Sequence, residues 1–321
     1  MHARADASAI RAVAVMGATA TGKSDLAVDL ALAFGGEVVS MDSRQVYRGL
    51  DIGTGKASAT ARRGVAHHLI DILDPTEPVS AGVHTALAEA CVRAIAARGR
   101  VPILAGGTGL YFRALFGGLV AVSIPRERLA AIRETFAGRA TTVLHAELAA
   151  RDPVRARALS PNDRVRITRA LELIAYTGVS ASDLYRRQGA RADRASGIVY
   201  LKVVLTMPRE VLRARVEQRT RELFQAGWPG EVARLLATGI PVDAPAMRSL
   251  GYADLASALG AGESPERRFE RIVTATRRYA KRQETFFRSE RDAVWIDVTA
   301  PGATREVRRL VGAFLGRAQA Q

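Results

Sequence analysis

Apolar residues run along this chain in two rhythms. In the first part they form short unbroken runs: "RAVAVMG" (11–17), "EVVSMD" (37–42), "HHLIDIL" (67–73) and "VPILAGG" (101–107). Runs of this length and composition predict buried strands. Between them the period lengthens. "SDLAVDLALAF" (24–34) predicts a helix stopped by Gly35-Gly36, and residues 80–98 predict a second. Strands alternating with helices predict an α/β protein with a parallel, doubly wound sheet. From about residue 123 the strand rhythm disappears. "IPRERLAAIRETFAGR", "TTVLHAELAARDPVRARAL" and "DRVRITRALELIAYTG" read as successive amphipathic helices. The strand rhythm returns near 199–207 in "YLKVVLTM". A helix near 209–224, a turn at "QAGWPG", a further helical stretch, a basic helix near 266–288 and a last strand at "AVWIDV" complete the pattern. The expected organisation is a core in two parts, 1–122 and 205–321, around a helical insertion at 123–204.

Ligands on such sheets collect at the carboxyl ends of the strands. Three segments fall there: Met16/Gly17, Asp42 and Gly106/Gly107. The first opens Gly17-Ala18-Thr19-Ala20-Thr21-Gly22-Lys23-Ser24, a glycine-bounded loop between a strand and a helix. In that setting, backbone N–H groups and the helix N-terminus cradle phosphate. Lys23 adds a charge-assisted contact, and the Ser24 hydroxyl is placed to hold Mg²⁺. Asp42 at its strand end suits a base, a holder of metal-bound water, or a plain loop cap. "DIGTGK" presents Lys56. "AGGTG" allows close approach of a ligand, with Thr108 as a hydroxyl donor, or makes a tight strand-to-helix turn.

The formal charge of +15 points to a polyanionic partner, although arginine enrichment alone contributes to it. Residues 123–205 hold fifteen Arg/Lys against eight Asp/Glu. Lysine survives only at 23, 56, 202 and 281, and a lysine kept among arginines suggests a site that needs a compact ammonium. In "TATRRYAKRQETFFR" (274–288) basic residues alternate with Tyr279, Phe286 and Phe287, which suits either a nucleic-acid backbone or a solvated face with aromatics turned inward. Cys91 is alone, so no internal disulfide forms, and no Cys/His cluster offers a structural zinc site. Adjacent His67 and His68 point to opposite faces of a strand and make a poor metal site. No apolar run reaches the roughly 18 residues of a membrane helix, and the first residues lack a secretory h-region. A cytoplasmic monomer that meets no membrane is expected.

Together "GATATGKS", "DSRQVYRGLDIGTGK", "HHLIDIL", "PILAGGTGLYFRAL", "PNDRVRITRALE", "RSLGYAD" and "RRYAKRQETFFR" resemble the tRNA dimethylallyltransferase family, across about residues 13–298. The resemblance implies a P-loop-kinase-like core with a helical insertion. It departs from the family at Ala18, where proline is usual, at Ser24, where threonine is common, at "GTGKAS" for "GTAKP", and at His84, where an aromatic residue is usual.

The resemblance implies transfer of a dimethylallyl group from dimethylallyl diphosphate to the N6 amine of the adenosine 3′ of the tRNA anticodon. The loop 17–24 and Lys23 would then stabilise a departing diphosphate, with Mg²⁺ on Ser24. Arg219 matches the family's arginine near the diphosphate. Asp42 would accept a proton or hydrogen bond from the adenine amine, and Thr19 would bond near the reacting carbon. Ser43, Arg44 and Gln45 with Asp42, Val165 to Arg169 (Arg166, Ile167, Thr168), and Met247, Arg248, Gly251 and Tyr252 match segments that contact the tRNA anticodon stem-loop. Thr108, Arg128 and Lys281 are further tRNA contacts. Three alternatives stay open: an adenylate (AMP/ATP) isopentenyltransferase, a small-molecule kinase on the same loop, and an RNA-binding nucleotide switch.

Overall fold

A computed structural model describes residues 9–117, 122, 124–187, 197–258, 264–290 and 292–316. The chain divides into two compact units, one of residues 1–112 and 197–321, the other of residues 113–196.

The first unit is built on six parallel strands: β1 (Ile10–Gly17), β2 (Gly36–Ser40), β3 (His67–His68), β4 (Val101–Gly106), β5 (Ile198–Thr206) and β6 (Ala293–Asp297), in the order β3-β2-β4-β1-β5-β6. β1 lies in the middle, its residues Ala12 to Met16 wholly enclosed. Parallel central strands are covered on both faces, which is why "AVAVM" carries no polar alternation. β1 pairs with β4 from Val13↔Ile103 to Met16↔Gly106, and with β5 from Ile10↔Ile198 to Gly17↔Leu205. These registers bring the ends of β1, β4 and β5 level. The chain order reverses across β1, so the loop after it sits at the switch point where such sheets bind ligands.

The helices of the first unit are α1 (Lys23–Phe34), α2 (Ala59–Arg62), α3 (Ala81–Ala97) and, after the second unit, α9 (Arg209–Gln225), α10 (Trp228–Ala237), α11 (Tyr252–Ala258), α12 (Pro265–Phe287) and α13 (Ala303–Leu315); α4 (Gly109–Leu115) crosses the division between the units. Val13, Val15, Leu26, Leu30, Ile103, Val203, Leu205, Val307 and Val311 form one core between the sheet, α1 and α13. Each such side chain contributes about 1.5–3 kcal/mol when fully buried. A second core gathers Val46, Tyr47, Leu50, Trp228, Val232, Met247, Tyr252 and Ile272.

The second unit holds α5 (Arg126–Glu134), α6 (Thr141–Arg151), α7 (Pro153–Arg157) and α8 (Arg164–Thr177) around Leu144, Leu148, Ile167, Leu171 and Ile174. It ends at residue 196 and not at 204, because β5 joins the sheet from Ile198 onward.

Three predicted elements differ in detail. "HHLIDIL" is a strand only at His67–His68, since Leu69 (φ 61°) and Asp71 (φ 59°) are left-handed and break it. The helix expected over 141–159 is two helices. Asp152 (φ −150°) leaves the helical region, accepts from the Arg155 N–H at 2.9 Å, and is followed by Pro153 in the first turn of α7. The "QAGWPG" turn is shorter than expected, because Gly227 (φ 96°) caps α10, which begins at Trp228.

Candidate active site at the carboxyl ends of the strands

The loop after β1 is closed by its own atoms. Gly17 (φ 149°) lies against β5, where a Cβ would stand 2.6 Å from the Leu205 carbonyl oxygen. Gly22 is left-handed (φ 83°) and starts α1. The two loop threonines differ in role. Thr21 is buried and its hydroxyl donates to the Ala18 carbonyl at 2.8 Å, whereas no hydrogen bond among the described residues engages the Thr19 hydroxyl. Lys23 Nζ reaches over the loop and donates to the same Ala18 carbonyl at 2.5 Å. Burial pushes its ammonium down to about 8; Asp42 opposes that shift and the Arg219 charge adds to it. A site that depresses a lysine in this way gains from an incoming anion, which restores the charged form. Ala20 is left-handed (φ 65°) without being glycine, a conformation that costs energy and clusters at functional loops.

Asp42 follows β2. Its Oδ1 accepts from the N–H groups of Arg44 (2.8 Å) and Gln45 (3.3 Å), so it caps the turn 42–45. No hydrogen bond among the described residues engages Oδ2, which leaves an acceptor on the carboxylate for something else. The capping and chemical roles expected for this residue are compatible, one oxygen for each. Its charge is felt by Lys23 and by the hydroxyls of Tyr111 and Tyr279. Burial drives the Tyr279 hydroxyl far above its usual range; Asp42 reinforces this, with Arg44 and Arg282 opposing. Tyr111 stacks on His84 with ring centroids 4.1 Å apart and planes 26° apart. Burial pushes His84 down to about 4, so at neutral pH it is a flat uncharged ring.

The glycines after β4 serve the protein's own packing. A Cβ on Gly106 would stand 2.1 Å from the Met41 carbonyl oxygen, on Gly107 2.2 Å from Gln283 Nε2, and on Gly109 2.2 Å from a Phe286 ring carbon. The half-buried Thr108 hydroxyl accepts from the Ser43 N–H at 3.1 Å, a contact that leaves its own O–H able to donate. Arg219, on α9, lies against the 51–56 turn, 3.5 Å from the Gly55 carbonyl oxygen. Lys23 is thus electrostatically coupled to both Asp42 and Arg219.

In the second unit, helix α8 starts at Asp163, which accepts from the Arg166 N–H at 3.1 Å. Val165 is 79% exposed. Arg166 pairs with Asp163 at 3.1 Å, and Arg128 is exposed with no ion pair among the described residues. An open concavity of about 450 Å³ is lined by Arg133, Arg164, Val165, Thr168 and Arg169.

With this geometry in place, the wider relationships are clear. The IPP transferase family profile matches residues 45–290. A tRNA dimethylallyltransferase of Anaeromyxobacter dehalogenans (strain 2CP-C) is 46% identical over 288 residues, covering 89% of this chain and 95% of the relative. One from Thermomicrobium roseum is 43% identical over 301 residues, covering 93% and 90%. The crystal structure of the full-length tRNA isopentenylpyrophosphate transferase from Bacillus halodurans is similar at TM-score 0.70 and 34% identity, over 96% of this chain and 97% of that one.

The chain belongs to the IPP transferase family. Within it, four residues expected at a nucleic-acid surface are enclosed here. Ile167 belongs to the core of the helical unit, and Met247 and Tyr252 are fully buried. Gly251 (φ 83°) lies under Trp228, where a Cβ would be 2.2 Å from the ring. Tyr252 donates its hydroxyl to Glu231 at 2.5 Å. These residues shape their segments from inside, whereas their neighbours Arg248, Val165 and Arg166 are exposed. Arg44 donates to the Pro245 carbonyl at 3.1 Å, and the Gln45 amide bonds Thr54 and Gly55 carbonyls and the Ser40 hydroxyl. Lys281 is exposed on α12 beside Arg278, Arg282 and Arg288, with Phe287 buried and Tyr279 and Phe286 half-buried, so the helix carries a basic face and turns Phe287 inward.

Two residues escaped the sequence reading. Glu231 is 3% exposed and accepts from the N–H groups of Asp51, Ile52 and Gly53 at 2.7–3.2 Å, fixing the turn that meets Arg219. Its signal was a carboxylate on the apolar face Trp228, Val232, Leu235. Gln283 is the other. Lys56, by contrast, is spent inside the fold, donating to the Tyr47 carbonyl (2.6 Å), Asp51 (2.8 Å) and Asp71. A three-donor ammonium suits three acceptors, which accounts for lysine here.

Proposed function

We propose that this chain transfers a dimethylallyl group from dimethylallyl diphosphate to the exocyclic N6 amine of the adenosine 3′ of the tRNA anticodon. The relatives named tRNA dimethylallyltransferase support the reaction. The observation that carries it in this chain is the electrostatic coupling of Lys23, on the phosphate loop, to Arg219 and to Asp42, whose Oδ2 is open.

The chemistry follows from that arrangement. A bond forms between N6 and the first carbon of the prenyl chain as the bond from that carbon to the diphosphate oxygen breaks. Negative charge grows on the leaving group, where the loop N–H groups, Lys23 and Arg219 meet it. The amine loses its proton to Asp42 Oδ2, which Oδ1 holds in place through two backbone N–H groups. Thr19 Oγ1 donates to the bridging oxygen. Mg²⁺, which takes oxygen ligands, would be held by the exposed Ser24 hydroxyl at the start of α1. When bound, the ion offsets diphosphate charge. The helical unit, with Arg128, Val165, Arg166 and Thr168, and the basic face of α12, with Lys281, take the tRNA. No helix of the described residues is long and apolar enough to cross a membrane.

The deciding experiment incubates radiolabelled dimethylallyl diphosphate with bulk tRNA, AMP and ATP in parallel. Label in tRNA alone is expected. Label in AMP or ATP would transfer the assignment to an adenylate isopentenyltransferase.

A further inference from the structure

The segments that must cooperate in this reaction come from three separate strand ends, and each is a loop. Two of them are bridged by a buried amide. Gln283, on α12, is 6% exposed. Its Oε1 accepts from the Thr19 N–H at 2.8 Å, 264 positions away in the chain, and its Nε2 donates to the Gly107 carbonyl at 2.8 Å. One side chain therefore holds the phosphate loop to the turn after β4. That turn in turn holds the Asp42 segment: Thr108 accepts from the Ser43 N–H at 3.1 Å and donates its own N–H to the Met41 carbonyl at 3.3 Å. The glycines make the contact possible, because a Cβ on Gly107 would collide with Gln283 and one on Gly109 with Phe286, a turn further along α12.

The geometry is specific to an amide. Thr19 offers a donor and Gly107 an acceptor, so the bridging side chain must accept with one end and donate with the other. A glutamate carboxylate accepts only, and faces the Gly107 carbonyl with like polarity. Methionine fills the space and does neither.

We propose that Gln283 is a positioning residue that locks the phosphate loop, the 107–109 turn and the Asp42 turn into one body, setting the distance between the leaving-group cradle and the carboxylate that receives the amine proton. It touches neither substrate. Its effect is on the alignment of the two, where a displacement of about 1 Å costs on the order of a hundredfold in rate. The inference rests on the proposed diphosphate chemistry of the loop.

The test compares wild type, Gln283→Met and Gln283→Glu. Three quantities are measured: inorganic pyrophosphate binding by calorimetry, tRNA binding, and the single-turnover rate at saturating dimethylallyl diphosphate and tRNA, all well below each variant's melting temperature. Gln283→Met is expected to lose roughly 10- to 100-fold in single-turnover rate, with tRNA affinity within about twofold. Gln283→Glu is expected to be similarly impaired at neutral pH and to recover relative to wild type as pH is lowered, because a protonated carboxyl again donates to Gly107. A purely structural bond would lower the melting temperature and leave the saturated rate and its pH profile unmoved. Rates within about threefold of wild type for both variants, with no pH-dependent recovery, overturn the proposal. If wild type itself binds no pyrophosphate, it is the diphosphate reading of the loop that fails; if wild type binds it and the variants turn over normally, Gln283 alone is refuted.

Discussion

At the end of the sheet, the groups proposed to meet a ligand sit on a loop fixed by short internal contacts: the loop 17–24 is closed by Gly17 against Leu205, by Thr21 on Ala18, and by Gln283 on Thr19. In the helical unit they are long side chains on exposed helix faces, among them Arg128 and Arg166. The first kind of site is stiff and costs little to order when a small anion arrives. The second suits a large, repetitive polyanion, because arginines adapt to phosphates and no single contact dominates. Even within the helical unit the arginines divide. Glu172, 2% exposed, accepts from Arg133 at 2.8 Å and Arg169 at 3.1 Å, so these two cations stabilise the unit itself. Reversing Arg169 would set a second carboxylate beside a buried one and report on folding, which makes Arg128 and Arg166 the better probes.

The comparison breaks first at Asp42. Asn in its place still caps the turn through its oxygen but takes no proton at neutral pH. Asp42→Asn is expected to lose roughly 10²–10⁴ in single-turnover rate, with tRNA binding within a few-fold of wild type. A change in melting temperature with the rate intact would reduce Asp42 to its capping role. Next, Lys23→Ala is expected to lose about two decades in rate, on the order of 3 kcal/mol, with the loop conformation kept by its backbone contacts. Near wild-type turnover would remove Lys23 from the leaving-group contacts.

How much of this was legible from the chain depends on distance in sequence. The strands, the loop and Asp42 were readable because their signals are local: unbroken apolar runs, glycine spacing, a strand end. The break at Asp152-Pro153 was missed although its signal was equally local, in the dipeptide itself. What could not be read were the tertiary partners and the way a loop spends its polar groups. Thr19 and Thr21 look alike in sequence, and only the folded loop engages the Thr21 hydroxyl, on Ala18, and spares the other. Gly106 and Gly107 read as room for a ligand or as a tight turn, when the close approach is by Met41 and Gln283. A segment resemblance also carries no facing: it marks 165–169 and 247–252, but not that Ile167, Met247 and Tyr252 point inward.

Smaller effects sharpen the contrast further. Lys23, held down to about 8 in the ligand-free site, must be charged to grip an anion. Below that pH the ammonium is fully formed; as pH rises through it, diphosphate affinity should fall, by at most about tenfold per pH unit, and binding should take up a proton. Calorimetry in buffers of different ionisation enthalpy measures both, and binding that takes up no proton above pH 8 would separate Lys23 from the anion. Arg128→Glu and Arg166→Glu should each lower the log–log salt slope of tRNA binding by roughly 0.7–0.9 and leave diphosphate affinity unchanged. An unchanged slope would place the tRNA on another surface.

The central claim is that the loop holds a group that departs while carbon is transferred. Dimethylallyl diphosphate carrying radiocarbon in its chain and radiophosphorus in its diphosphate tests this in one reaction with tRNA. The account predicts radiocarbon on the tRNA and all radiophosphorus in free diphosphate, in equal amounts. Radiophosphorus retained on the acceptor, or diphosphate released without radiocarbon on the tRNA, would contradict it.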